Sequence, residues 1–121
     1  MNETNQLIKN ITEGIQEKKG ENIIIANLTS IENTICKFFV SCQGNTPTQV
    51  SAIVDSIKHI VFDRQKESPI AIDGQSSSQW VAMDYADVLV HIFLPETRDY
   101  YKLETLWADA ELTSIPTIKE D

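Results

Sequence analysis

The first apolar pattern in the chain has the three- and four-residue spacing of an amphipathic helix. Its positions are Leu7, Ile8, Ile11 and Ile15. Gly20 follows two lysines and is typical of the residue just beyond a helix end. The chain is therefore predicted to open with a helix that buries one face.

A second helical pattern begins near residue 46. Thr46 is a suitable N-terminal cap, Pro47 fits the first helical position, and Gln49 lies where a capping side chain reaches back. The apolar positions that follow keep the helical spacing and are Val50, Ile53, Val54, Ile57, Ile60 and Val61. We expect a helix whose apolar side packs in the core.

Shorter segments carry the apolar runs or the alternation of β-strands. Residues 23–28 are β-branched and apolar almost throughout, which favours a strand buried on both faces. The other predicted strands are residues 35–42, residues 70–72 and two strands within residues 80–93, joined by a tight turn at residues 85–87. Pro95 and Glu96 are then placed to start a last helix.

This order, α-β-β-α-β-β-β-α, predicts a single α/β domain in which helices pack on a mixed sheet of about five strands. A chain of 121 residues can bury one core and is too short for two domains. We place the domain at residues 1–110. Residues 111–121 are acidic and contain Pro116, and we expect them to form a flexible tail.

Negative charge is concentrated in the last third of the chain. The net charge is −8, and residues 80–121 hold nine acidic and three basic side chains. This balance argues against direct binding of a nucleic-acid backbone, which depends on Lys and Arg. It favours a basic protein partner, although an acidic balance that serves only solubility explains the composition equally well.

The chain has no apolar run near the roughly 20 residues of a membrane span. Its first ten residues lack the basic and then apolar layout of a signal peptide. We therefore expect a cytoplasmic protein without a membrane partner.

Asp84 and Asp87 are the candidate residues for metal-dependent chemistry. Metal-dependent nucleotidyl transfer usually places two carboxylates two residues apart on one strand, after a Gly-Ser loop. Here the spacing is three residues, and the loop that begins at Gly74 lacks the Gly-Ser pair. A charged contact surface, or stabilisation of the turn by Asp87, is the preferred interpretation, so no metal and no cofactor are predicted.

Trp80, Met83 and Tyr85 suggest a protein-binding surface. Alternation places Trp80 and Asp84 on one face of the sheet and Met83 and Tyr85 on the other. If helices cover the second face, Trp80 and Asp84 share the uncovered one, which suits a binding hot spot. A Trp buried at the end of a hairpin is about as compatible with the sequence.

His91 lies in an alternating run on the same face as Asp87, Leu89 and Phe93. No nucleophile or second metal ligand can be identified beside it. A hydrogen-bonded structural histidine is therefore the preferred interpretation.

Two runs of the C-terminal half resemble a known family. After Trp80 the first is Asp84-Tyr85-x-Asp87-Val88-x-Val90-His91-x-Phe93, and the second is Glu96-x-Arg98-x-Tyr100-Tyr101-x-Leu103-Glu104-x-Leu106-Trp107. Together with Phe39-Val40-Ser41-Cys42-x-Gly44-Asn45-Thr46, they resemble the signature of the ribosomal silencing factor, or Iojap-like, family. The resemblance spans roughly residues 7–110.

This resemblance implies an α/β fold related to the nucleotidyltransferases but without their active site. It also implies binding to the large ribosomal subunit through its protein fourteen, uL14, on the surface that faces the small subunit. Subunit joining would be blocked sterically, with no catalysis. The residues expected at the partner surface are Trp80, Met83, Asp84, Tyr85, Asp87 and His91.

Two alternatives stay open at the level of the sequence. The first is a magnesium-dependent nucleotidyl or phosphoryl transferase that uses Asp84 and Asp87. The second is a self-associating scaffold, because members of the resembled family can form homodimers and the first helix could supply an apolar contact.

Overall fold

The computed structural model describes residues 3–29, 37–97 and 111–115. The elements within these ranges are α1 (Glu3–Glu17), β1 (Glu21–Asn27), β2 (Phe38–Gln43), α2 (Pro47–Gln65), β3 (Ala71–Asp73), β4 (Trp80–Asp84), β5 (Val88–Phe93) and β6 (Glu111–Ile115). Helical backbone starts again at residues 95–97, as predicted. The rest of the predicted last helix lies outside the described residues.

All six strands belong to one mixed sheet in the order β3-β4-β5-β2-β1-β6. Strands β2 and β5 pair in parallel, and the other neighbours are antiparallel. The parallel pair requires a long connection between β2 and β5, and α2 lies within it. The predicted α/β class with a mixed sheet is confirmed.

The sixth strand corrects the prediction of a tail that begins at residue 111. Residues 111–115 pair antiparallel with β1, with Ile115 opposite Ile23 and Leu112 opposite Ala26. This strand is not evident from the sequence, because β6 lies at the edge of the sheet and residues 112–114 are exposed. An edge strand of this kind needs no regular apolar alternation.

Local signals explain where α2 begins and ends. The Thr46 side chain accepts a hydrogen bond from the Gln49 backbone N–H at 3.0 Å, and the Gln49 side chain accepts one from the Asn45 N–H at 2.7 Å. At the other end, Lys66 takes a left-handed backbone conformation, and its N–H donates to the Phe62 carbonyl. None of the described helices combines the length and the apolar character that a membrane span requires.

The core lies between one face of the sheet and the layer formed by α1 and α2. The helices approach closely at Gly14, where an added Cβ would lie 2.9 Å from the Ile57 Cα. The Ser56 hydroxyl donates to the Gly14 carbonyl at 2.9 Å within this contact. Fully buried sheet residues that share the core are Ile23, Val40, Cys42, Val81, Met83, Val88, Val90 and Ile92.

The register of the strands defines the second face of the sheet, opposite α1 and α2. Trp80 pairs with Phe93, Ala82 with His91, and Asp84 with Leu89. Their neighbours in sequence, such as Val81 and Val90, point into the core. As the alternation predicts, Trp80 and Asp84 lie together on the face opposite Met83 and Tyr85, which is the face away from α1 and α2.

Candidate functional site

Among the described residues, four aromatic rings gather on the second face of the sheet, and we call them the aromatic cluster: Phe39, Trp80, His91 and Phe93. The His91 ring is stacked on Phe39, with 4.6 Å between ring centroids, and on Phe93 at 5.8 Å. Trp80 lies 5.3 Å from Phe93 and 5.6 Å from His91, in tilted geometry. Trp80 is half-buried and the other three rings are buried, so Trp80 is the member that can contact a partner.

A hydrogen bond joins the polar ends of Trp80 and His91. The indole Nε1–H donates to His91 Nδ1 at 2.6 Å. Because Nδ1 accepts this bond, the neutral imidazole carries its proton on Nε2. The prediction of a hydrogen-bonded histidine is confirmed.

The second nitrogen of His91 is buried and has no hydrogen-bond partner among the described residues. A buried donor without an acceptor costs about 1 to 3 kcal/mol of folding free energy. Burial also lowers the pKa of His91 from 6.5 to about 4, because the charged imidazolium loses its hydration. His91 is therefore neutral near pH 7, and it is only 7% exposed.

Beside the aromatic cluster, β3 and β4 present two carboxylates on the same face, which we call the acidic strip: Asp73 and Asp84. Asp73 pairs with Ala82, and Asp84 pairs with Ala71. The two acids are thus diagonal neighbours, with Cα atoms about 7 to 8 Å apart. Ala71 and Ala82 occupy the other two corners of this group of four, so no long side chain of β3 or β4 stands between the carboxylates.

Asp84 and Asp87 have separate structural roles, which does not favour a shared metal site. Asp84 Oδ1 accepts a hydrogen bond from the Ala86 N–H at 2.8 Å and so stabilises the turn between β4 and β5. Asp87 accepts one from the Thr4 hydroxyl at 3.1 Å and lies 3.9 Å from the Lys37 ammonium. The sequence left a turn-stabilising role open for Asp87; in the structure, Asp84 makes the hydrogen bond within the turn.

No group of three or more His, Cys, Asp or Glu side chains is arranged to hold a metal ion in the part of the chain that the structure describes.

Met83 and Tyr85, which the sequence analysis placed at the partner surface, lie in the core instead. Met83 is fully buried, and Tyr85 is 7% exposed. Both side chains project toward α1 and α2, because alternation directs them away from the face of Trp80. Two effects raise the pKa of Tyr85 to about 12: the loss of hydration on burial, which is the larger, and the negative charge of Glu67.

Two residues of this face were not among those that the sequence led us to expect at the partner surface. Phe39 has the pattern of an ordinary strand residue, and its stacking on His91 depends on the parallel pairing of β2 with β5. Asp73 was assigned to the loop that follows β3. Strand alternation could have identified Asp73. Because Ile72 packs against the core, the next residue, Asp73, lies on the face of Trp80.

The comparisons with known proteins agree with one another. A family model described as "Ribosomal silencing factor during starvation" matches residues 1–121. The ribosomal silencing factor RsfS of Halalkalibacterium halodurans is 34% identical over 105 residues, which are 87% of this chain and 88% of the relative. A mouse relative is named "Mitochondrial assembly of ribosomal large subunit protein 1"; it is 30% identical over 94 residues, and the match covers 69% of this chain and 40% of that protein.

A solved structure gives the same picture of the fold. The crystal structure of a protein from Chromobacterium violaceum superposes with a TM-score of 0.82 at 26% identity, and covers 99% of this chain and 95% of the other.

Proposed function

Because the chain belongs to the ribosomal silencing factor family, we propose that it binds uL14 of the large ribosomal subunit and thereby prevents the small subunit from joining. The surface that would make this contact is the acidic strip together with Trp80. The effect on translation is repression. It acts in the cytoplasm, where the subunits meet.

One observation carries the proposal: two carboxylates and a half-buried Trp lie together on the sheet face opposite α1 and α2. Ribosomal proteins are generally basic, so Asp73 and Asp84 can pair with Lys or Arg of the partner. A Trp beside such a polar rim suits the centre of a binding site. The alanines of β3 and β4 allow close approach of the partner to the sheet.

Overall charge supports the same partner. The chain carries a net charge of −8, which attracts a basic surface and speeds the encounter at low salt. The names of the bacterial and mouse relatives refer to ribosomal silencing and to the large ribosomal subunit. A basic protein exposed on that subunit fits both observations.

The mechanism that we propose needs no chemical step. A domain that occupies the partner surface excludes the small subunit by its volume, and its affinity decides what fraction of large subunits it withholds. The competing magnesium-dependent transferase would use Asp84 and Asp87. The two carboxylates accept hydrogen bonds from different groups, Ala86 and Thr4, which does not favour a shared magnesium ion.

Self-association stays a secondary proposal. The apolar residues Leu7, Ile11 and Ile15 of α1 pack in the core and cannot also form a dimer contact. A contact through α1 would have to use its other side, where Ile8 lies in a groove beside Ile25 and Ile115. Sedimentation equilibrium with Ile8→Asp beside the wild type tests this, and a dimer that Ile8→Asp does not weaken would contradict this contact.

The binding site itself is tested with purified uL14 and with isolated large subunits. Asp73→Lys should weaken binding at least tenfold, because it places a positive charge against a basic partner. Asp55→Lys makes the same change at an exposed position of α2 and should retain most of the affinity. Equal losses in both variants would mean that only net charge matters, and wild-type affinity in Asp73→Lys would place the partner elsewhere.

A further inference from the structure

The contact between Trp80 and His91 is unusual because a histidine is less well suited to this buried position than an apolar ring would be. His91 lies in an apolar environment, stacked between Phe39 and Phe93. A phenylalanine would suit that environment and would leave no buried N–H without an acceptor. The histidine instead buries Nε2 without a partner among the described residues.

An imidazole supplies one thing that a phenyl ring cannot, which is an acceptor for the Trp80 indole. Nδ1 lies 2.6 Å from the indole Nε1. Trp80 is diagonal to His91 on the same face, since Trp80 pairs with Phe93 and Ala82 pairs with His91. The bond therefore holds a half-buried ring at one angle above the sheet.

His91 also has the rigidity that this task requires. Its ring is nearly parallel to both phenylalanine rings, with interplanar angles of 18° and 16°. At 7% exposure it offers almost no surface to a partner. Local choices that lower stability without an evident packing gain are expected at functional sites.

We propose that His91 is a positioning residue: it holds the Trp80 indole at the orientation in which that ring meets the ribosomal partner, and it does not contact the partner itself. This inference rests on the proposed function, because it assigns a task within the same binding surface. In the absence of His91 Nδ1, the indole N–H turns toward water, and the ring leaves its binding orientation.

The hydrogen bond is tested by nuclear magnetic resonance of the indole N–H groups in wild type and His91→Phe. The Trp80 signal is the one that disappears in Trp80→Phe. In the wild type this N–H should exchange slowly with solvent, and His91→Phe should accelerate its exchange at least tenfold. Unchanged protection in a folded His91→Phe would overturn the inference.

Binding to isolated large subunits tests the consequence. His91→Phe should bind about threefold to tenfold more weakly, which is the range that one lost hydrogen bond produces. His91→Gln, whose amide oxygen can accept the indole N–H, should recover part of the loss. His59→Phe makes the same replacement at an exposed position of α2 and should bind normally.

A double-mutant cycle separates positioning from a direct contact. If His91 acts through Trp80, His91→Phe has no further effect on binding once Trp80 has been changed to Phe. An additive loss would overturn the inference, as would wild-type affinity in His91→Phe. Absence of binding by the wild-type chain would instead refute the proposed function, and the exchange measurement would still decide whether His91 holds the indole.

If His91→Phe does not fold, the comparison of His91→Gln with His91→Leu takes its place. Slow exchange and stronger binding in the Gln variant than in the Leu variant would support the inference, and equal behaviour would overturn it.

Discussion

The Asp84 carboxylate accepts a hydrogen bond at 2.8 Å from the backbone N–H of Ala86, which has a left-handed backbone with φ of 70°. Asp84 therefore has two properties at once: it stabilises a strained turn, and it adds negative charge to the acidic strip. Substitutions that remove one property and keep the other separate them.

Asp84→Asn should leave the turn intact and weaken binding to the ribosomal partner. The amide oxygen of Asn can still accept the Ala86 N–H, whereas the charge is lost. Asp84→Lys loses both and should also lower the free energy of unfolding by about 1 kcal/mol, the net value of one hydrogen bond. Thermal melts beside cosedimentation with large subunits measure the two effects. If Asp84→Asn destabilises the chain as much as Asp84→Lys, the charge and not the turn bond supports the fold.

Met83→Ala should destabilise the protein and spare its binding surface. Met83 is fully buried between the sheet and the helices, so the truncation leaves a cavity and should cost about 2 to 5 kcal/mol. Trp80→Ala, on the opposite face, should cost less stability and more affinity. Denaturant unfolding should therefore show the larger loss of stability in Met83→Ala, and ribosome binding should show the larger loss of affinity in Trp80→Ala. If one variant loses more of both, the assignment of faces is contradicted.

Gly14→Ala should weaken the packing of α1 on α2. The new methyl group would meet the Ile57 backbone at 2.9 Å, and the helices would have to separate. Overpacking of this kind costs about 1 to 3 kcal/mol, which exceeds the roughly 1 kcal/mol that alanine gains over glycine within a helix. Ser51→Ala, at an exposed position of α2, is the control for denaturant unfolding. A more stable Gly14→Ala variant would show that the helices can adjust.

Stability should fall with acidification because of His91. Its pKa is about 4 in the folded protein and 6.5 for a histidine exposed to water, so the unfolded chain binds a proton that the folded chain does not. Stability is then highest above pH 6.5 and declines toward pH 4. Between pH 7.5 and pH 5 the wild type should lose about 2 kcal/mol more than His91→Phe. Parallel pH profiles of the two proteins, from urea unfolding, would contradict the burial of a neutral His91.

The sequence predicted the faces of β4 and β5 because their alternation is strict. Trp80 and Asp84 were assigned to the face opposite Met83 and Tyr85, and the structure agrees. What the sequence could not decide was which side is covered by helices, so residues of both sides entered the expected partner surface. Because α1 and α2 pack on the face that carries Met83 and Tyr85, these two side chains are buried and are not available to a partner.

Other features depend on contacts between residues that are distant in sequence, and these were missed or misassigned. The strand at 111–115 is formed by pairing with β1, and its Leu112 remains 48% exposed. Asp87 accepts a hydrogen bond from Thr4, which is 83 residues away in the sequence. The role of Asp87 could therefore not be inferred from the local turn. The bond between Trp80 and His91 requires both the register of the hairpin and the rotamers of two rings.

A joining assay tests whether this chain keeps the subunits apart by occupying the large one. Purified small and large subunits are mixed with saturating wild type, Asp73→Lys or Asp55→Lys, and joined ribosomes are measured on sucrose gradients. We predict that wild type and Asp55→Lys lower the yield of joined ribosomes and comigrate with the large subunit, whereas Asp73→Lys does neither. An unchanged yield with wild type bound to the large subunit would contradict occlusion.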